Sequence, residues 1–232
     1  MSLHPERELT AVAGKASDDA VLVIGLGRFG GAVAEALLER GTQVLGIDRD
    51  GRNVQHWSGR LTHVVEADTT DLDALQQIGA GDFGKAVVSI SSSLEASILT
   101  TANLADLKVP TIWSKAASIS HGRILSRVGA TNIVYPEHDM GERVAHLVTG
   151  RMIDYIEFDD GFALVKTRPP ATLIGRSLDQ SAVRTKYGVT VVSIKRPGED
   201  FTYATAETVV HPDDMLIVAG RTDLAERFAG QT

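Results

Sequence analysis

The stretch 21-VLVIGLGRFGGAVAEALLERGTQVLGIDRD-50 decides the fold of this 232-residue chain. It consists of an apolar run, a glycine-rich turn, an amphipathic segment and a second apolar run. Gly25 permits a sharp turn, Gly27 leaves room for a phosphate beside the backbone, and Gly30 lets a helix pack closely on its strand. In this context the motif predicts a strand–turn–helix unit that holds a nucleotide, rather than a tight turn that binds nothing.

Apolar runs alternate with amphipathic segments as far as about residue 136. The runs cover residues 20–24, 43–47, 62–67, 85–90, 110–113 and 131–135. Near-continuous apolar runs of this length are typical of parallel strands that are buried on both faces. We therefore predict an α/β fold with a Rossmann-like, doubly wound parallel sheet of six strands and five crossovers.

The pattern changes after this point and indicates a second domain. A helix is predicted from about Asp139 to Gly150, and two short apolar runs then flank the turn Asp159-Asp160-Gly161, which is a hairpin signal. A short helix over 177–188, a strand over 189–196, a Pro197-Gly198 turn and the apolar run DMLIVAG (214–220) complete a small α+β C-terminal domain. The predicted organisation is a flexible tail over 1–19, a nucleotide-binding Rossmann domain over 20–137, a crossover helix or linker over 138–152, and the C-terminal domain over 153–232.

Composition excludes several functions. The formal net charge of −7 argues against a nucleic-acid partner, which requires a basic face. The chain has no cysteine, so disulfides, thiolate metal sites and cysteine nucleophiles are excluded, as fits a cytoplasmic protein. No apolar run approaches the roughly 20 residues of a membrane helix, and the first residues lack the layout of a signal peptide. Any membrane role is therefore expected to come through a partner.

Carboxylates follow the second and third predicted strands. Asp48 ends the second strand about twenty residues after the glycine motif, where a carboxylate accepts hydrogen bonds from ribose hydroxyls. The alternative is that Asp48 caps a helix. Asp68 and Thr69 lie at the same carboxyl edge, where they can reach an adenine ring, although Thr69 and Thr70 can equally cap the next helix.

The arginine inside the glycine motif bears on which ligand binds. No acid–base set for hydride transfer is evident, and the seven histidines are scattered, as surface histidines usually are. The Arg28 guanidinium suits the terminal phosphate of ATP or ADP. The alternative is a solvated residue at a helix start, where a cation opposes the helix dipole. An NAD-dependent oxidoreductase with residues 151–232 as its substrate domain remains the alternative function. Asp48 disfavours NADP, although Arg49 and Arg52 weaken that argument.

Several motifs occur in a fixed order along the chain: GLGRFG (25–30), GIDRD (46–50), ADTTDLDAL (67–75), SSLEASILTT (92–101), IWSKA (112–116) and RVGATNIVYPEHDMGERVA (127–145). Together they resemble the RCK (KTN) domain of potassium-transport regulators of the KtrA and TrkA type. The stretch 173–196 and the run DMLIVAG (214–220) resemble the C-terminal (TrkA-C) domain of that family. The resemblance covers residues 20–229, and YPEHDMG is its specific part.

The resemblance implies a cytoplasmic regulatory subunit rather than an enzyme. RCK domains form homodimers, and four dimers stack into an octameric ring on the inner face of the membrane, beneath a Ktr- or Trk-type potassium channel or transporter subunit. Binding of ATP, ADP or, in some members, NAD(H) changes the ring and gates the pore. By the same resemblance Arg28 touches the γ-phosphate, sometimes across the dimer, and Glu137 lies near the phosphates and a bound cation.

The remaining candidate residues lie in or beside the matched motifs. Phe29 and Arg49 belong to GLGRFG and GIDRD, Ser91 follows the fourth strand, and Lys115 ends the fifth. A surface lysine is the other interpretation of Lys115.

Two further ligands are implied less directly. A carboxylate such as Glu137 can lie beside a triphosphate when a cation (Mg, Ca or Na) screens the two, or it can simply complement a helix N-terminus. Some relatives bind cyclic di-AMP in the C-terminal domain. The matching region here holds Leu178, Arg184 and Val189, which can equally form a dimer core.

Overall fold

The computed structural model describes residues 19–148, 152–158 and 161–231. Apart from Asp19, the predicted tail lies outside the described residues, and so do Asp159 and Asp160 of the predicted hairpin turn. The chain forms two compact units, the first ending at Pro136 and the second beginning at Glu137.

Six parallel strands form the sheet of the first unit over the described residues 19–136. They are β1 (Val21–Ile24), β2 (Val44–Asp48), β3 (His63–Glu66), β4 (Lys85–Val88), β5 (Thr111–Lys115) and β6 (Asn132–Val134). The strand order is β3-β2-β1-β4-β5-β6, which confirms the predicted doubly wound sheet. The order reverses between β1 and β4, and ligands of such sheets bind at the carboxyl ends of the strands beside this reversal.

Five helices link these strands: α1 (Arg28–Glu39), α2 (Gly51–Trp57), α3 (Leu72–Ile78), α4 (Leu94–Asp106) and α5 (Ile119–Arg127). The sheet is buried between two apolar clusters. One contains Val23, Ala34 and Trp57, and the other contains Ile24 and Leu104. Alternate residues of β1 contribute to opposite clusters, which explains why the strand is apolar throughout.

The helix starts differ in one respect that bears on function. Side-chain oxygens cap α2, α3, α4 and α5, from Asp50, Asp71, Ser93 and Ser118 respectively. The N-cap of α1 is Gly27, which offers no side-chain hydrogen bond. The first backbone N–H groups of a helix have no partner within the helix, so α1 lacks the side-chain cap that its neighbours have.

The second unit is built on an antiparallel sheet. Its strands are β7 (Asp154–Phe158), β8 (Phe162–Thr167), β9 (Val189–Lys195), β10 (Thr202–Tyr203) and β11 (Met215–Arg221), in the order β10-β9-β11-β8-β7. Its helices are α6 (Pro136–Val148), α7 (Leu178–Ser181), α8 (Val183–Tyr187) and α9 (Thr222–Ala229). The predicted pairing of β7 with β8 is confirmed as an antiparallel pair.

Two helix predictions in this region need correction. Helix α6 begins at Pro136 rather than near Asp139, because the fixed φ of proline suits the first position of a helix, where its missing N–H has no partner to lose. The single helix predicted over 177–188 is two short helices separated by Ala182, whose φ of 47° is left-handed.

Within the described ranges, no helix combines the length and the apolar character that a membrane crossing requires.

The core of the second unit depends on α9. Phe228 is fully buried, and its ring meets the Tyr187 ring edge-on at 5.3 Å between centroids. Ala225 and Ala229 are also fully buried. One face of α9 is therefore the cover of this sheet, and Phe228 is its largest buried side chain.

Phe228→Ala is expected to lower the free energy of unfolding of the second unit by about 3–5 kcal/mol, the usual cost of removing a buried aromatic ring. Both tryptophans of the chain, Trp57 and Trp113, lie in the first unit. In denaturant unfolding, the substitution should therefore move part of the far-ultraviolet circular dichroism transition to lower denaturant concentration. The tryptophan fluorescence transition should stay in place. Tyr203→Ala, at a side chain that is 91% exposed, is the control. A fluorescence transition that moves with Phe228→Ala would contradict independent unfolding of the units.

His121 differs from the expected surface histidine. It is only 4% exposed, and its Nδ1 accepts a hydrogen bond of 3.2 Å from the backbone N–H of Ala117. Nε2 is also buried, with no hydrogen-bond partner among the described residues. Burial disfavours the charged imidazolium and lowers the pKa of His121 below its usual 6.5.

The stability of the first unit should therefore fall as the pH drops below the ordinary histidine pKa. As the pH falls, His121 is protonated in the unfolded state before it is protonated in the folded state. The stability that comes from keeping His121 neutral is therefore complete above its pKa in the unfolded state, and it is lost as the pH falls to its lower pKa in the folded state. His121→Asn keeps an acceptor for the Ala117 N–H and does not titrate. Its unfolding free energy, followed by tryptophan fluorescence, should change less between about pH 6.5 and pH 5 than that of the wild type. Identical pH profiles would refute this role for His121.

Candidate nucleotide site

The glycine turn connects β1 to α1, and two of its glycines are required by the protein itself. Gly25 has a φ of +86°, a left-handed conformation that favours glycine. A Cβ added at Gly30 would overlap the carbonyl oxygen of Gly25 and the hydroxyl of Ser89. These two positions therefore explain how α1 starts directly at the edge of the sheet.

Gly27 is different, because no contact with the described residues requires a glycine there. Its φ is −68°, which any residue adopts, and a Cβ at this position would have none of their atoms within 4 Å. Gly27 is exposed and directly precedes the uncapped first turn of α1. The open space and the unsatisfied N–H groups together suit an anion bound close to the backbone.

Asp48, at the carboxyl end of β2, is bonded into this turn. Its Oδ2 accepts hydrogen bonds from the backbone N–H of Leu26 (2.7 Å) and from the side-chain amide of Asn53 (2.9 Å), and its Oδ1 accepts one from the backbone N–H of Asp50 (2.8 Å). The alternative that Asp48 caps a helix is wrong, because Asp50 caps α2. Oδ1 keeps a lone pair that a ribose hydroxyl can use.

Arg49 and Asp68 lie near each other past the ends of β2 and β3. The carboxylate of Asp68 accepts hydrogen bonds from the hydroxyl (2.7 Å) and the backbone N–H (3.0 Å) of Thr70. These bonds, and more weakly the positive charge of Arg49, lower the pKa of Asp68. The edge thus offers an ionised carboxylate beside a guanidinium.

Thr69 has a different setting from the other predicted residues. It is buried, and its hydroxyl lies 2.8 Å from the hydroxyl of Thr100 on α4. The structure therefore gives the Thr69 side chain a packing contact rather than an exposed position at the edge. The alternative that Thr69 or Thr70 caps α3 is wrong, because Asp71 does so.

Phe29, Ser91 and Lys115 are brought together from three segments. Lys115 is 7% exposed, and its ammonium donates a hydrogen bond of 3.0 Å to the Ser91 hydroxyl. The same ammonium lies 5.6 Å from the centroid of the Phe29 ring, within the range of a cation–π interaction. The alternative of a solvated surface lysine is therefore wrong. The buried Lys115 ammonium therefore lies beside Phe29, the residue that follows Arg28.

Arg28 itself is exposed, and it forms no hydrogen bond or ion pair with the described part of the chain. The guanidinium is at the positive end of α1, where a cation is unfavourable unless an anion is present. Its position is thus consistent with a contact to a bound phosphate.

The predicted residues of the second unit fall into different settings. Glu137 is exposed in the first turn of α6. Val189 is buried in the core, Leu178 packs against that core, and Nε of Arg184 donates to the Thr190 hydroxyl at 3.2 Å. Val189 therefore packs inside the second unit itself, and both the cyclic di-AMP site and the dimer core stay predictions. In the described residues, no group of three or more histidine, aspartate or glutamate side chains could hold a metal ion.

Sequence reasoning missed two side chains that shape the turn. Asn53 holds Asp48, and Ser89 contacts the carbonyl oxygen of Gly25. A serine at the carboxyl end of a strand beside the glycine turn is the signal that could have found Ser89. Its partner is distant in sequence, so the contact follows only once β4 is known to lie beside β1.

A Rossmann-type sheet with a glycine turn, followed by a small antiparallel unit, defines a class of two-domain proteins with a nucleotide-binding type of fold. The TrkA-N domain model matches residues 6–136, and the TrkA-C domain model matches residues 162–230. The chain therefore belongs to the TrkA-N/TrkA-C family.

Two proteins of Bacillus subtilis (strain 168) are similar over most of their length. The chain is 40% identical to Ktr system potassium uptake protein C over 207 residues, covering 89% of this chain and 94% of the relative. It is 32% identical to Ktr system potassium uptake protein A over 219 residues, covering 94% and 99%. The chain is thus homologous to Ktr potassium uptake proteins A and C.

Solved structures of GsuK share the fold. The GsuK RCK domain has a TM-score of 0.65 and 16% identity, covering 93% of this chain and 48% of that chain. The GsuK channel bound to NAD has the same TM-score, identity and coverage of this chain, and 40% of its own length is matched. GsuK bound to ADP has a TM-score of 0.51 and 16% identity, covering 57% and 35%. The chain spans about half or less of these structures.

Gly30→Ala and Gly27→Ala should separate the two kinds of glycine in the turn. Gly30→Ala should lower the free energy of unfolding of the first unit by about 1–3 kcal/mol or more, because its Cβ overlaps backbone. Gly27→Ala should cost no more than about 1 kcal/mol, because its Cβ meets no atom of the described residues and alanine is only a poorer N-cap than glycine. Denaturant unfolding followed by tryptophan fluorescence measures both. Equal destabilisation by the two substitutions would show that Gly27 has an internal structural role.

Proposed function

We propose that this chain is a nucleotide-sensing regulatory subunit of a membrane potassium channel or transporter of the Ktr or Trk type. The observation that carries the proposal is the uncapped start of α1 beside the open space at Gly27. Family membership and the homology to Ktr potassium uptake proteins A and C support the potassium-uptake context. Because these homologues are named for potassium uptake, a non-catalytic role agrees with them better than an oxidoreductase does.

The nucleotide lies, in this proposal, across the carboxyl ends of the strands. Its phosphates approach Gly27 and the first N–H groups of α1, a ribose hydroxyl donates to Oδ1 of Asp48, and the base lies towards Arg49 and Asp68. A planar guanidinium such as that of Arg49 can stack on an aromatic base. Ser91 and Lys115 line the opposite part of the edge, where the Lys115 ammonium adds positive charge near phosphate oxygens.

ATP and ADP are the preferred ligands because of Arg28. The Arg28 guanidinium has no partner in the described protein, and Arg28 directly follows Gly27, which the phosphates approach. A charge-assisted bond to a terminal phosphate would use it. GsuK has been solved both with NAD and with ADP, which supports a fold able to accept either class. NAD(H) is accordingly the second ligand to test.

A second copy of this chain is the proposed assembly partner, in dimers that build an octameric ring. Large apolar side chains are exposed on the first unit, among them Trp113, Ile119 and Ile124. Exposed apolar side chains on α6 recur every four residues at Met140, Val144 and Val148, which places them on one helix face. Such surfaces support a protein interface. The membrane partner would bring the ring to the cytoplasmic face.

Two finer parts of the proposal concern additional ligands. A cation (Mg, Ca or Na) at Glu137 would take its other ligands from phosphate oxygens and water, as magnesium commonly does with nucleotides. Cyclic di-AMP in the second unit would need residues other than the buried Val189, with Arg184 as an exposed cation beside Thr190.

Calorimetry of the full chain with ATP, ADP, NADH and NAD⁺, each with and without magnesium, tests the ligand. We expect ATP and ADP to bind, and Arg28→Gln to weaken ATP about 10- to 100-fold and ADP less, since hydrogen bonds to charged groups contribute about 1.5–3 kcal/mol. Arg40→Gln removes the same charge at the other end of α1 and should change neither affinity. Binding of NADH without ATP or ADP would contradict the ligand preference. An equal effect of the two substitutions would contradict the role of Arg28.

A further inference from the structure

We propose that Ser89 is a positioning residue, which together with Asp48 clamps the Gly25–Leu26 peptide group of the glycine turn from both sides. The inference rests on the proposed nucleotide site and adds a residue that acts on it without touching the ligand. It concerns how the turn is held ready before any nucleotide arrives.

The carbonyl end of this peptide group is held from β4. Ser89 directly follows β4 and is buried, and its hydroxyl donates a hydrogen bond to the carbonyl oxygen of Gly25. The same hydroxyl lies 3.1 Å from the carbonyl oxygen of Ile24. The backbone N–H of Ser89 also donates to the Ile24 oxygen at 2.8 Å, so the hydroxyl is fixed relative to β1.

The N–H end of the same peptide group is held from β2. The backbone N–H of Leu26 donates to Oδ2 of Asp48 at 2.7 Å. Asp48 is itself fixed, because the Asn53 amide donates to Oδ2 and the Asp50 N–H donates to Oδ1. Strand β1 lies between β2 and β4, so the two contacts reach the peptide from the two neighbours of its own strand.

Because a peptide group is planar, fixing its oxygen and its hydrogen fixes its orientation. This peptide needs such a restraint, since it follows Gly25, and glycine adopts positive and negative φ about equally well. Removing the Ser89 hydroxyl releases one end of the peptide and lets the turn populate other conformations. A turn that must be ordered during binding loses affinity.

The serine at this position answers two demands at once. The hydroxyl of Ser89 lies where a Cβ at Gly30 would be, so the side chain must be small for α1 to approach the sheet. It must also carry a donor, because the Gly25 carbonyl oxygen accepts from it. Alanine meets only the first demand. The clamp also determines which oxygen of Asp48 is left for ribose, since Oδ2 is bonded to Leu26 and Asn53.

Ser89→Ala in the full chain tests the clamp, with Thr131→Ala as the matched control. The Thr131 hydroxyl likewise bonds to backbone, donating to the Ile112 oxygen (3.0 Å) and accepting from the Ile112 N–H (2.9 Å). It precedes β6 and lies at the amino end of the sheet, away from the turn. Both variants lose a hydroxyl that bonds to backbone, Ser89 from a buried position and Thr131 from an exposed one.

Two measurements then separate positioning from simple destabilisation. In the protein without nucleotide, hydrogen exchange at the Leu26 amide should be about tenfold faster in Ser89→Ala and unchanged in Thr131→Ala. By calorimetry, the ADP dissociation constant should rise about two- to twelvefold in Ser89→Ala alone, the range that one hydrogen bond of 0.5–1.5 kcal/mol gives. Ser89→Cys keeps a weak donor and should fall between wild type and Ser89→Ala, and it serves if Ser89→Ala does not fold.

Unchanged exchange at Leu26 in the serine variants would overturn the clamp, and so would equal changes in Ser89→Ala and Thr131→Ala. Faster exchange with an unaltered ADP dissociation constant would overturn the positioning role. If the wild type binds no nucleotide, the proposed function fails, and the exchange measurement alone still decides whether the clamp exists.

Discussion

The close approach of α1 to β1 and β4 is the contact on which the rest of this structure depends. Gly30 lies where any side chain would overlap the Gly25 carbonyl and the Ser89 hydroxyl, so the helix begins within a few residues of the strand. That short connection leaves the first N–H groups of α1 at the carboxyl edge of the sheet without a side-chain cap. The carboxyl ends of β2, β3, β4 and β5 then bring Asp48, Asp68, Ser91 and Lys115 to this same edge.

The two aspartates of the DRD segment show how far local sequence can distinguish roles. Both follow an apolar run, and either could cap the next helix. The structure has Asp50 as the cap of α2 and Asp48 as the acceptor for the Leu26 N–H. The spacing from the glycine motif favoured Asp48 as the ribose ligand, because a ribose-binding carboxylate is expected at the end of the strand next to β1, and Asp48 ends β2. The sequence could not show which aspartate caps α2, because Asp48 and Asp50 have the same side chain and are only two positions apart.

What the sequence predicted well depends on short-range patterns. Each parallel strand is apolar along its length because both faces are covered, so a doubly wound parallel sheet could be inferred. Ser89 could not be, because its hydroxyl acts on Gly25, 64 residues away, through a contact that exists only when β4 lies beside β1. Thr69 was placed at the edge by its position after β3, but its side chain joins Thr100 inside the fold. The break at Ala182 has no glycine or proline to signal it.

In the proposed function, the charges at this edge link nucleotide binding to a signal. The chain carries a net charge of −7, so long-range attraction does not favour an anionic ligand, and local groups must hold it. Arg28 lies at the positive end of α1, an unfavourable position in the free protein that a bound phosphate reverses. A ligand can shift a conformational equilibrium only by binding two conformations with different affinity. In the proposed function, a phosphate contact that Arg28 makes in one conformation and not in the other would provide that difference.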